Sequence, residues 1–92
     1  MSNFATLTSD TDTDTITCTG TLYAIEAEYN SGTGTITPKV VSRRGNLITL
    51  GTTTLTGSGR INVEVAKGDK IAATLSGSAS SPDIDLHFIK IR

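Results

Sequence analysis

Along most of the chain apolar and polar side chains alternate with a period of two. Threonine supplies one face and aliphatic residues the other, the pattern of β-strands laid on a core. Between Thr11 and Thr19 every odd position is Thr, while Ile16 and Cys18 turn to the opposite side. Further on, Tyr23, Ile25, Ala27 and Tyr29 are apolar at odd positions and Glu26 and Glu28 face away from them. The apolar phase has slipped by one residue, which predicts a bulge, bend or strand break near Gly20. Asn30-Ser-Gly-Thr-Gly predicts a turn, after which Ile36 and Val40 share a face with Pro38 between them. Because Pro38 has no N–H to give to a ladder, its strand is expected at an edge or a bulge.

Arg44-Gly-Asn predicts the next turn, followed by a short strand from Leu47 to Leu50 and a tight connection at Gly57-Ser-Gly. Ile61, Val63 and Val65 alternate with Arg60, Asn62 and Glu64, and Lys67-Gly-Asp leads into Ile71, Ala73 and Leu75, which predicts a hairpin. Gly77 to Asp83 is a run of small residues and one proline that predicts a loop. The last strand begins with Ile84, Leu86 and Phe88 on one face and finishes with Ile89 and Ile91 on the other. It is therefore either central and covered on both sides, or it turns Ile89 and Ile91 toward another chain. No apolar 3.6-residue period persists long enough for a helix. The expected fold is all-β, an antiparallel β-sandwich or small barrel of about seven to eight short strands.

A chain of 92 residues holds one such domain, and its small core leaves room for stabilisation by a partner. Residues 13–92 are expected to form that domain. Residues 1–12 carry little core signal and are expected as an N-terminal arm, either frayed or ordered by a partner. Eight Lys and Arg against nine Asp and Glu give a formal net charge of −1, which argues against binding nucleic acid through its phosphates. The charges are segregated: residues 1–37 hold five acids and no base, and the remainder holds eight bases and four acids. Either strands from the two halves interleave and the asymmetry disappears, or an acidic N-terminal segment docks on a basic face of a neighbouring subunit. No signal peptide is expected from the N-terminal residues, and no window approaches the roughly 20 apolar residues of a membrane span.

Candidate chemistry is sparse. Asp85 and His87 share a strand face, with Ser80 and Ser81 in the preceding loop, but no nucleophile elbow or oxyanion hole accompanies them. Cys18, in phase with Ile16, reads as a small buried residue. One cysteine and one histidine do not make a zinc ligand set or a disulfide framework. Asp10, Asp12 and Asp14 resemble the opening of a calcium loop, yet Thr15 and Thr21 stand where that loop needs Gly and Glu. They read better as solvated charges on an edge strand. Tyr23, Tyr29 and Phe88 fall in phase with core positions, leaving Phe4 as the one aromatic free for stacking on a ligand. The expectation is a protein that is not an enzyme and takes no cofactor or metal.

The order of features from Thr54 to Leu86 resembles the C-terminal half of small β-sandwich virion accessory proteins of tailed bacteriophages. Thr54-Leu-Thr turns into strands with a Gly68 tip, a strand ends in Leu75-Ser-Gly, and a small-residue loop precedes the final apolar strand. Gly20-Thr-Leu-Tyr and Ile36-Thr-Pro-Lys-Val resemble the paired strands before it, so the resemblance spans residues 20–92. The chain departs from the pattern in having no Trp near Arg44-Gly-Asn-Leu-Ile. The resemblance implies a capsid decoration or cement protein on the virion surface, made in the host cytoplasm and bound to the major capsid protein. It implies a homo-oligomer, a trimer in keeping with lattice symmetry, with no nucleic-acid or membrane partner. The interface is expected on Phe4, Leu7, Ile89 and Ile91, with Arg43 and Arg44 against acidic capsid patches. Two other roles stay open: a tail or baseplate component, and a host-surface or carbohydrate-binding module.

Overall fold

In a computed structural model, which describes residues 3–92, these residues form seven β-strands and no helix: β1 (Asn3–Leu7), β2 (Thr11–Asp12), β3 (Ile16–Thr17), β4 (Leu22–Val41), β5 (Leu47–Thr49), β6 (Gly59–Glu64) and β7 (Lys70–Lys90). All pairings are antiparallel. Two of these strands are not short. β4 and β7, of 20 and 21 residues, run side by side from the Tyr23–Lys90 pair to the Val40–Ile71 pair and form a two-stranded ribbon. Straight strands of that length would reach about 65–70 Å. The molecule's longest dimension is 37 Å, so the ribbon must fold over on itself.

The fold-over occurs where the sequence pattern predicts a turn and a loop. Between Tyr29 and Thr35 the register with β7 shifts three times, and the partners there are Ser31–Asp83 and Thr33–Ala79. Gly32 and Gly77, together with Ser80 and Ser81, take positive φ values. Instead of reversing the chain, these small residues let two continuous strands bulge past each other without breaking their pairing. The slip also changes which side chains face inward. In the first half of β4 the positions that face the core are Tyr23, Ile25 and Ala27; in the second half they are Ile36 and Pro38. On β7 they are Ile71, Ala73 and Leu75, then Ile84, Leu86 and Phe88, while Ala24 and Ala72 are buried on the alternate phase.

Each half of the ribbon is widened by short strands. One half is ordered β1–β7–β4–β6; in the other, β2 and β3 flank β7, which is followed by β4 and β5. Their inner faces meet in one core that includes Leu7, Cys18, Ile25, Ile36, Ile61, Val63, Ile84 and Phe88. Tyr29 pins the bend: its hydroxyl donates to the Gly34 carbonyl (2.8 Å), with the Leu55 carbonyl also within reach (3.2 Å). Burial pushes its phenol pKa up, keeping it a donor. The break expected near Gly20 is present, since β3 and β4 are separate strands and the chain passes from one half at β3 to the other at the start of β4.

Three further expectations are corrected. The predicted hairpin between β6 and β7 does not form, because β6 pairs with β4 from Leu22 to Ala27. The Ala66–Asp69 turn carries the chain from one half to the other, closed by Asp69 N–H to the Ala66 carbonyl (3.0 Å) and Ala66 N–H to the Asp69 carboxylate (2.9 Å). Pro38 is not on an edge strand. Its carbonyl accepts from Leu50 N–H just beyond β5, so its nitrogen faces the gap between the β5 pairing and the Ile36–Leu55 bridge. Of the expected arm, residues 1–12, the described part joins the sheet through β1 and β2, which both pair with β7 of their own chain. Met1 and Ser2 lie outside the described residues. Leu7 closes over the core because its pair partner is Ile84.

Candidate functional site

The outward side chains of the β1–β7–β4–β6 half form rows across the strands. One row reads Phe4, His87, Glu26, Arg60 through successive pair partners. The Phe4 and His87 rings lie 4.7 Å apart at 42°, and Arg60 pairs with Glu26 at 2.5 Å. Hydrogen bonding from Arg60, then its charge and that of His87, hold the Glu26 carboxyl below its ordinary range. In the next row Asp85 accepts from the Thr6 hydroxyl and the Asn30 amide, both at 3.1 Å. At the other end of the face stand Ile89, half-buried, and Ile91, 44% exposed.

This geometry separates the residues singled out from the sequence. Phe4, at 57% exposure, shares an outer face with Ile89 and Ile91. Leu7, expected at an interface, is instead 4% exposed and packed inside, so it is not available to a partner. Arg43 and Arg44 are exposed at the tip of the β4–β5 hairpin, far from that face in the sheet order. The tip is held by Ser42 N–H to the Asn46 carbonyl (2.7 Å) and Gly45 N–H to the Ser42 carbonyl (2.9 Å).

Asp85 and His87 point the same way from β7, and the partners of Asp85 are Thr6 and Asn30 rather than His87. Ser80 and Ser81 sit in the bulged bend, where the Ser81 carbonyl accepts from the Ser31 hydroxyl. Burial, then the nearby charge of Asp69, push the Cys18 thiol pKa up, the opposite of what a thiolate nucleophile needs. Asp10 accepts from Ser78 N–H (2.8 Å) and Gly77 N–H (3.2 Å) and so anchors the β7 bend. Hydrogen bonding from the Ser78 side chain, then from the Ser78 and Gly77 N–H groups, holds its carboxyl below the ordinary range. Asp12 accepts from the Thr74 hydroxyl (2.6 Å), and Asp14 has no side-chain partner among the described residues. No three metal-ligating side chains converge among the described residues.

A surface missed from the sequence is the open side of the sandwich next to β1. A cleft of about 360 Å³ lies there, between β1 and the Thr13–Ile16 segment, with Phe4, Ala5, Ile16, Phe88 and the carboxylate-bearing Asp14 among its lining residues. The break between β2 and β3 shapes it. Thr13 fills that break, giving its N–H to the Ala73 carbonyl (2.9 Å) and accepting Ala73 N–H at its hydroxyl (3.0 Å). The alternation at Thr11 to Thr19 contains no hint of the cleft, which needs both halves of the folded ribbon. No helix among the described residues is long and apolar enough to cross a membrane. No protein-family profile matches the chain, and neither the curated proteins nor the solved structures contain a significant match to it.

Proposed function

We propose that the protein is a structural virion component, a capsid decoration or cement protein that binds and stabilises the head lattice of a tailed phage. The observation that carries this reading is an apolar group on one outer sheet face, Phe4 and Ile91 exposed and Ile89 half-buried, in a small β-sandwich. An exposed apolar patch marks a surface suited to a partner. The resemblance of residues 20–92 to virion accessory proteins supplies the kind of partner, the major capsid protein. Repetition of a modest contact over a lattice raises avidity without a large interface per copy. The role asks nothing of Asp85, His87 or Cys18 beyond structure.

The test is co-sedimentation of purified protein with undecorated heads of the encoding virus. Saturable binding is expected, together with its loss in an Ile89→Asp, Ile91→Asp variant that remains folded by circular dichroism. Binding to tails alone moves the protein to the tail or baseplate, and glycan binding by free protein without particle binding overturns the reading in favour of a carbohydrate-binding module.

A further inference from the structure

The charge asymmetry of the chain becomes an asymmetry of edges. In the half built on β2, β3, β7, β4 and β5, the segment from Asp10 to β3 brings Asp10, Asp12 and Asp14 to one edge, and the β4–β5 hairpin brings Arg43 and Arg44 to the other. Part of the acidity is already answered within the molecule: Arg60 neutralises Glu26, and Asp10 and Asp12 hold groups of β7. Asp14 is exposed, with its carboxylate unengaged among the described residues, and so are both hairpin arginines.

Each edge sets its charge beside an apolar feature. Beside Asp14 is the cleft lined by Phe4, Ala5, Ile16 and Phe88. Beside the arginines is an exposed apolar residue, Ile48. It pairs with Val40 and so turns to the core side of its sheet, yet it is 49% exposed. The two features lie on opposite edges of a sheet four strands wide, about 14 Å apart at ordinary strand spacing, so one chain cannot fill its own cleft.

We infer that the β4–β5 hairpin of one copy docks in the cleft between β1 and Asp14 of a second copy, with Ile48 entering the cleft and Arg43 and Arg44 meeting Asp14. The contact is heterologous, head to tail. It generates a ring if the rotation between copies closes and an open filament if it does not. The tight Ser42–Asn46 turn presents the arginines without a large ordering cost. The inference rests on the proposed virion role and deepens its assembly side by naming the surface through which copies meet.

The experiment is sedimentation velocity on the purified full chain across a concentration series, at low and high ionic strength. The wild type is expected to self-associate, more weakly at high salt. Asp14→Lys and the pair Arg43→Ala, Arg44→Ala should each be monomeric, as both sites are solvent-exposed and fold is checked by circular dichroism. Head-to-tail geometry then makes a specific demand. Mixing the two variants should give a one-to-one heterodimer of about 19 kDa, twice the 9.6 kDa chain, that grows no further because each copy retains one working surface. A monomeric wild type, association unchanged by either set of substitutions, or no heterodimer in the mixture overturns the inference. Head co-sedimentation is read separately: a protein that binds heads as a monomer overturns the contact and spares the virion role, and one that forms the contact but ignores heads does the reverse.

Discussion

Gly32 sits where the two bulged strands cross, and replacing it with alanine tests whether the ribbon folds there. Its φ is +78°, a region an L side chain enters at about 1–2 kcal/mol. A Cβ built on it would also press on Pro82, 2.8 Å from its nitrogen, and lie 2.9 Å from the Ala79 carbonyl oxygen. These neighbours are backbone of β7 and cannot swing aside, so overpacking adds about 1–3 kcal/mol. Gly51 provides the control, since its φ is +74° but a Cβ there meets nothing within 4 Å. For 92 residues the unfolding entropy is about 0.19 kcal/mol/K, and 1 kcal/mol moves the midpoint by about 5 °C. Gly51→Ala should therefore lower Tm by about 5–10 °C and Gly32→Ala by about 10–25 °C. Calorimetry on both variants decides the matter. Equal losses would refute the close crossing of β4 and β7, because the backbone penalty alone is common to both positions.

Leu7 and Phe4 separate core from surface on the same short strand: Leu7→Ala should cost about 2–4 kcal/mol in urea unfolding and Phe4→Ala under about 1 kcal/mol, and the reverse order would return β1 to an arm. The Cys18 thiol should react with a disulfide reagent far more slowly in native protein than in denaturant, and rapid native labelling would contradict its burial. Asp10 and Glu26 are both held below their ordinary pKa in the folded protein. Their contribution is fully present above the unfolded carboxyl range and is lost as pH falls through the folded values, so Tm should decline below about pH 5. The decline should be shallower in Asp10→Asn and in Glu26→Gln, which remove one such group each. Both groups are exposed and screened, and a variant curve parallel to wild type would show that its contact contributes nothing.

The alternation rule identifies most core positions correctly. Tyr23, Ile25, Ala27, Ile36, Ile61, Val63, Ile71, Ile84, Leu86 and Phe88 are all buried as their phase predicts. Continuity is what alternation does not resolve. Glycine and small polar residues serve a reversal and a bulged bend equally well, because both need positive φ and little side-chain bulk. Which one forms depends on whether a distant strand is available to pair through the irregularity, and at Asn30–Thr35 it is. The same competition decides Ile61 to Leu75, where a local hairpin loses to pairing of β6 with β4, more than thirty residues away. Leu7 has only Ala5 in phase with it, and Phe4 at the alternate position offers an equally apolar face, so the short pattern does not choose between faces and its core role comes from its partner on β7. The exposed surface is more legible: Phe4, Arg43, Arg44 and Ile91 are all accessible, while the cleft beside Asp14 arises from tertiary structure alone.

The long ribbon also constrains how the chain can fold. Its nearest pair, Val40 with Ile71, is separated by 31 residues and its farthest, Tyr23 with Lys90, by 67, so no part of it can form as a local hairpin. Even the β4–β7 pair nearest in sequence therefore has to close a 31-residue loop before its hydrogen bonds offset that entropy. Topologies of this kind fold in about milliseconds to seconds rather than microseconds. Until β4 and β7 have paired, two half-apolar strands are open along their edges. Refolding at high protein concentration therefore exposes this protein to aggregation through β4 and β7, whatever partner its finished surface has.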